Sequence, residues 1–178
     1  KSFSWKGMQF PNRMGIAGGV DKNATLTHVW SRIGAGFIEI GTVTPKPQEA
    51  NPGKIIDRDW EKLALWNKMG FPSHGAKEVF YNLKNSVHDI PTFVNIGKNR
   101  LTKNEDAISD YVDCVQILDS VADAFVINVS SPNTKGLRDL QNKNSMTTLF
   151  QTLTSHTSKP LLVKLSPDMT DEQLQDVV

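Results

Sequence analysis

The chain has 178 residues, 38% of them hydrophobic and 22% charged, which suits one domain with a sizeable core and excludes a disordered or collagen-like chain. Twenty Lys and Arg against 19 Asp and Glu leave a net charge of +1, so bulk electrostatics give no reason to expect nucleic acid or an anionic membrane as a partner. A single cysteine, Cys114, excludes an internal disulfide and a cysteine-rich zinc site and suits a reducing compartment. No apolar run approaches the roughly 20 residues that span a bilayer. A chain that opens on Lys1 with no apolar leader is expected to have lost, or to lack here, something upstream.

In chain order, Phe3 and Trp5, then Met8 and Phe10, alternate with polar residues on either side of Gly7, and predict a small hairpin. Five short apolar runs bounded by Gly and Pro follow, at residues 14–18, 37–42, 92–97, 124–130 and 160–166. They alternate with helix-period segments, which predicts an α/β fold with a parallel sheet, apolar on both faces under a cover of helices. Leu26, Val29, Trp30 and Ile33 form one helical stripe; Ile108, Tyr111, Val112, Val115 and Leu118 form a second; Met146, Leu149, Phe150 and Leu153 form a third. Thr102 with Glu105 and Thr170 with Gln173 fit the capping box, in which each side chain satisfies a free backbone N–H, and predict two helix starts. Residues 43–66 hold three prolines and no clear period, and predict a long loop of the functional or locally disordered kind.

Three polar residues interrupt the strands: Asn95, Asn128 and Lys164. Burying an unpaired amide costs roughly 2–7 kcal/mol and a charge more, so each needs a partner. All three sit toward the C-terminal ends of successive parallel strands, the end at which barrels and doubly wound sheets bind ligands. The loop Ala17-Gly18-Gly19-Val20-Asp21-Lys22 offers two glycines for close backbone approach and a lysine for an anion or a reduced cofactor. Ser130 to Thr134 is either local turn chemistry or a ligand-binding set of hydroxyls and amides. Residues 67–72 form either a simple turn or a segment presenting an amide and backbone N–H groups to a substrate. His28, His74, His88 and His156 lack metal-ligand spacing, and no metal is expected. Cys114 reads as a small packed hydrophobe, and Glu39 as a structural charge without an assigned partner.

Six stretches together resemble the dihydroorotate dehydrogenase family in order and spacing, and span nearly the whole chain. They are Ala17-Gly-Gly-Val-Asp-Lys22, Gly41-Thr-Val-Thr-Pro-Lys-Pro47, Asn67-Lys-Met-Gly-Phe71, Asn95-Ile-Gly-Lys-Asn99, Asn128-Val-Ser-Ser-Pro-Asn-Thr134, and Val163-Lys164 with Pro167-Asp168. Ser131 resembles the membrane-associated, quinone-dependent class, whose catalytic base is serine where the cytosolic class has cysteine. The resemblance implies a (β/α)8 TIM barrel carrying FMN at its C-terminal mouth. Its implied reaction is the oxidation of dihydroorotate to orotate in pyrimidine (UMP) synthesis, with electrons passed to quinone.

Such barrels run to about 250 residues, so residues 1–178 are expected to be a partial catalytic domain of about five βα units with the hairpin in front, and inactive alone. Roughly three later units, with a Thr-Asn pair and the phosphate-binding glycine loops, lie outside it, as does the helical segment that docks on the membrane. That docking implies a peripheral location at the inner face of the cytoplasmic membrane, or at the mitochondrial inner membrane in a eukaryote. By resemblance, Ser131 is the base. Ala17, Gly18, Lys22, Gly41, Thr42, Asn95, Asn128 and Lys164 contact the flavin. Lys22, Asn67, Lys68, Met69, Gly70, Phe71, Asn128, Asn133 and Thr134 contact the substrate. The chain departs from the family pattern at Gly18 and Val20 of the first loop, where Ala and Phe are usual, and at Pro72, where Asn is commoner; around residues 55–60 only Arg58 keeps the Arg-Phe-Arg character. Two other functions fit the residues: a half-barrel that serves as a binding or scaffold module, and a flavin barrel acting on another dihydropyrimidine.

Overall fold

The computed structural model describes residues 1–87 and 89–177, so the expectation for His88 lies outside the described residues. Strands β1 (Phe3–Trp5) and β2 (Met8–Phe10) pair antiparallel with Trp5 opposite Met8. Lys6 and Gly7 turn the hairpin with φ of 49° and 81°, the two positive values that match the right-handed twist of paired strands. Strand β3 (Gly15–Ile16), helix α1 (Thr27–Arg32) and strand β4 (Phe37–Val43) follow. Next come strands β5 (Ile56–Asp59) and β6 (Ala64–Asn67), helix α2 (Ala76–Asn85) and strand β7 (Thr92–Ile96). Helix α3 (Ala107–Leu118), strand β8 (Ala124–Asn128), helix α4 (Lys143–Thr154), strand β9 (Leu161–Lys164) and helix α5 (Asp171–Val177) complete the order. Strands β3, β4, β7, β8 and β9 lie side by side in that order, all parallel, as a partial (β/α)8 barrel.

Strand period sorts the side chains into two sets. Ile38, Ile40, Val94, Ile96, Phe125 and Ile127 pack outward with Val79 and Leu83 of α2, Tyr111, Val115 and Leu118 of α3, and Met146, Leu149 and Leu153 of α4. The alternate positions Phe93, Ala124 and Val126, with Phe37 and Leu162, form a second cluster with Phe10 of the hairpin. Phe10 meets Phe37 and Phe93 edge-on at 6.0 and 6.1 Å and stacks on Phe3 at 4.6 Å. The hairpin is therefore an aromatic stopper under the N-terminal end of the sheet.

Several expectations change. Four of the five strands end earlier than the apolar runs, because residues past the ladder bend into the mouth, whereas β4 runs one residue further, to Val43; Gly19 donates its N–H to the Gly41 carbonyl at 2.8 Å. The α1 stripe is not buried throughout: helix α1 spans only Thr27–Arg32, and Leu26 and Ile33, which cap its two ends, are 44% and 67% exposed. The Thr170–Gln173 capping box forms reciprocally, at 3.0 and 3.2 Å. The Thr102–Glu105 box does not. Thr102 closes a turn on Asn99, the buried Lys98 ammonium donates to its carbonyl at 2.7 Å, and a 3-10 turn (Asn104–Asp106) leads into α3. Residues 43–66 are not wholly loop, since β5 pairs antiparallel with β6 from Ile56 opposite Asn67 to Asp59 opposite Ala64. Helix α2 was not anticipated, although Ala76, Val79, Phe80 and Leu83 carry its stripe.

Cys114 is fully buried on α3, and burial pushes its thiol well above the usual range. A thiol reagent is therefore expected to modify it only as fast as the fold opens. Labelling rates that rise with denaturant in step with unfolding would bear this out, and rapid labelling of the folded protein would contradict it.

Candidate active site

The period that sets Phe37, Phe93, Val126 and Leu162 on the inner face sets, two residues further on, Glu39, Asn95, Asn128 and Lys164 on that face. These four lie one turn of the pleat nearer the C-terminal ends of their strands. Asn95 donates from Nδ2 to Glu39 Oε1 at 2.6 Å, and Lys164 Nζ reaches the same oxygen at 3.1 Å. Asn128 donates to Thr42 Oγ1 at 3.0 Å and to Asn95 Oδ1 at 3.3 Å, while its own carbonyl oxygen accepts from the N–H and hydroxyl of Ser130, each at 3.2 Å. On the outer side, the Tyr111 hydroxyl of α3 donates to the Asn128 main-chain carbonyl at 2.9 Å. The buried amides thus have the partners that desolvation demands.

A cavity of about 500 Å3 opens above this network. Its lining brings together the predicted Gly18, Lys22, Thr42, Asn67, Met69, Gly70, Phe71, Asn95, Asn128, Ser131, Asn133 and Lys164, and adds Gly19, Pro72, Ser130, Pro132, Arg138 and Pro167. Ala17, Gly41, Lys68 and Thr134 do not line it. Gly41 lies behind the lining with its carbonyl bound to Gly19, and the Lys68 N–H is taken up by the Ile55 carbonyl at 2.7 Å. Thr134 is buried, and its hydroxyl has no partner among the described residues.

Loop chemistry holds the rim. Asp21 is buried and accepts from the N–H groups of Thr25 and Leu26, both at 2.9 Å, and from Trp30 Nε1 at 3.2 Å, which ties the first loop to the start of α1. Lys22 is turned by a hydrogen bond to the Gly19 carbonyl, and burial pulls its ammonium below the usual lysine range. Asn99 bonds both the N–H and the carbonyl of Lys46, at 3.1 and 2.9 Å, and so joins the loops after β4 and β7. Asn133 Nδ2 reaches both oxygens of Asn67 at 3.4 Å, and its N–H donates to Ser131 Oγ at 3.2 Å. Arg138 donates to the Ser130 carbonyl and to Asp168, both at 2.9 Å, and bridges the loops after β8 and β9.

Glu39, read from sequence as a structural charge, is instead the acceptor on which Asn95 and Lys164 converge. Its signal was present: it sits between Phe37 and Gly41 on the inward positions of β4. Arg138 was missed and carries no periodic signal, since it lies in a 3-10 segment (Leu137–Leu140). No cluster of three or more His, Cys, Asp or Glu suited to a metal occurs among the described residues. No helix among the described residues is long and apolar enough to cross a membrane.

Three comparisons with known proteins agree. The family profile for dihydroorotate dehydrogenase matches residues 2–178. Proteins named dihydroorotate dehydrogenase (quinone) from Nitratiruptor sp. and Mycolicibacterium gilvum are 45% and 42% identical to the chain over 94% and 96% of its length. The chain spans only about half of each, 48%. Crystal structures of the dihydroorotate dehydrogenase of Eimeria tenella, with ferulenol and ligand-free, superpose with a TM-score of 0.91 at 34% and 36% identity, covering 99% of this chain and 55% and 56% of theirs. A parallel partial barrel, a polar mouth and these relatives lead to one assignment: the chain belongs to the dihydroorotate dehydrogenase family.

Proposed function

We propose that residues 1–178 are the N-terminal part of the catalytic barrel of an FMN-dependent, quinone-reducing dihydroorotate dehydrogenase. The observation that carries this reading is the inward set Glu39, Asn95, Asn128 and Lys164 beneath a cavity rimmed by Lys22, Asn67, Ser131 and Asn133. Three cations, Lys22, Arg138 and Lys164, and four amides facing one cavity fit a ring system rich in carbonyl and N–H groups together with a carboxylated pyrimidine. The first loop fits as well, since a Cβ at Gly18 would stand 2.3 Å from Glu39 Oε1 and the backbone must pass close to the mouth.

Bound FMN would supply the acceptor for the hydride leaving C6 of dihydroorotate. Lys164 would stabilise negative charge on the reduced cofactor. The amides of Asn67, Asn128 and Asn133 would orient the carbonyl, ring N–H and carboxylate groups of the pyrimidine. Ser131 would take the C5 proton. Serine is a weak base alone, so a relay must carry that proton onward. The quinone class is supported by serine at position 131 and by relatives whose names specify quinone. That class implies peripheral attachment to the membrane that holds the quinone. Residues 1–178 alone are expected to be inactive.

Anaerobic addition of dihydroorotate to the flavin-loaded holoprotein, the whole barrel of which residues 1–178 are proposed to be the first part, should bleach its flavin absorption. A protein that takes up no flavin overturns the reading, and one that is bleached only by a different dihydropyrimidine redirects it. Lys22 supplies a second test. Its depressed pKa means that it loses its proton below the usual pH of about 10.5. Orotate affinity should therefore fall as pH rises through that lowered value, and Lys22→Met should remove this pH dependence; titration of orotate across alkaline pH decides.

A further inference from the structure

We propose that Glu39 is a positioning residue for the flavin chemistry, holding Lys164 and Asn95 in place and offsetting the charge of Lys164; the inference rests on the reading above. Three elements meet at one oxygen. Asn95 of β7 donates to Glu39 Oε1 at 2.6 Å, Lys164 of β9 reaches it at 3.1 Å, and Gly18 of the first loop leaves room for it, since a Cβ there would stand 2.3 Å away. The Glu39 side chain is 16% exposed and that of Lys164 41%, so the carboxylate lies on the inner side of the pair and the lysine toward the cavity. Among the described residues, Glu39 is the one side chain to which Lys164 Nζ is hydrogen-bonded.

The consequence is electrostatic. A carboxylate beneath the lysine weakens the pull that Lys164 exerts on charge arriving above it. Glu39 therefore favours the oxidised over the reduced cofactor while keeping the lysine aimed. Removing its charge but not its shape, by Glu39→Gln, retains an acceptor for Asn95 and frees the full charge of Lys164.

In the flavin-loaded holoprotein, Glu39→Gln is expected to raise the preference for reduced over oxidised cofactor about tenfold, a rise of about 30 mV in the midpoint potential of a two-electron couple. The charge of the carboxylate acts on the cofactor whether or not the lysine is present, so in a Lys164→Met background the same change should again raise the potential, while Lys164→Met alone should lower it. A potential that is unchanged or lowered by Glu39→Gln, or left unchanged by it in the Lys164→Met background, overturns the proposal. Should Glu39→Gln fail to hold flavin, Glu39→Asp, which keeps the charge, must hold it; loss in both also overturns the proposal. Failure of the unaltered protein to bind flavin overturns the functional reading, and this inference with it. Normal flavin binding with no shift overturns the inference alone.

Discussion

Ser131→Ala is expected to slow dihydroorotate-driven flavin reduction by about 10²- to 10⁴-fold, the usual contribution of a positioned acid–base group. Ser131 stands on the loop that leaves β8, at the lining of the cavity, and one of its lone pairs already accepts the Asn133 N–H at 3.2 Å. That bond orients the oxygen, and the remaining lone pair is free to face a substrate. The loop itself is pinned by Arg138 at the Ser130 carbonyl and by Gln141 Nε2 at the Val129 carbonyl, at 2.9 and 2.7 Å. Alanine therefore deletes the proposed proton acceptor and the partner of the Asn133 N–H, while the Arg138 and Gln141 anchors of the loop remain. Stopped-flow reduction should slow far more than orotate affinity falls, with the flavin spectrum unchanged. A reduction rate close to that of the unaltered protein would place the base elsewhere.

Gly41→Ala is expected to cost the fold on the order of 3 kcal/mol, combining backbone strain with overpacking. Gly41 sits within β4 at φ +107°, a conformation that L side chains rarely adopt, and a Cβ there would lie 2.4 Å from the Asn95 carbonyl oxygen and 2.8 Å from the Val43 nitrogen. Both are backbone atoms of the central ladder, so neither neighbour can step aside as a flexible side chain could. The same backbone turns Thr42 toward Asn128 and gives its carbonyl to Gly19. Urea unfolding should show the midpoint falling with the slope unchanged. A Gly41→Ala protein as stable as its parent would show that β4 can relax where the geometry gives no room.

The parallel sheet was legible because β4, β7 and β8 are short apolar runs, apolar on both faces and bounded by turn residues, and α3 and α4 because their stripes are long and cleanly spaced. Asn95, Asn128 and Lys164 stood out because an amide or ammonium in such a run must find partners. The hairpin from Ile56 to Asn67 was not legible, since it packs few apolar side chains inward; Trp60 is 77% and Leu63 88% exposed. Nor was the failure of the Thr102 cap, which depends on a lysine four residues earlier turning back onto the Thr102 carbonyl. Such local choices are settled by tertiary neighbours rather than by spacing. Glu39 falls between these cases: its inward position follows from strand period, but its partners lie 56 and 125 residues away along the chain.

The row of groups across the mouth also has a direction. A carboxylate can only accept, so Asn95 must turn its NH2 toward Glu39, which leaves its oxygen for Asn128. Asn128 must then present its own NH2 to Asn95 and its oxygen to Ser130. Each amide dipole is set head-to-tail by the one before it, so no member can flip without orphaning two neighbours. An Asn→Asp exchange at either amide position, close in shape, would place an acceptor against an acceptor and break the sequence of donors at that point. The mouth thus tolerates isosteric change less than its size alone suggests, because what it conserves is an orientation.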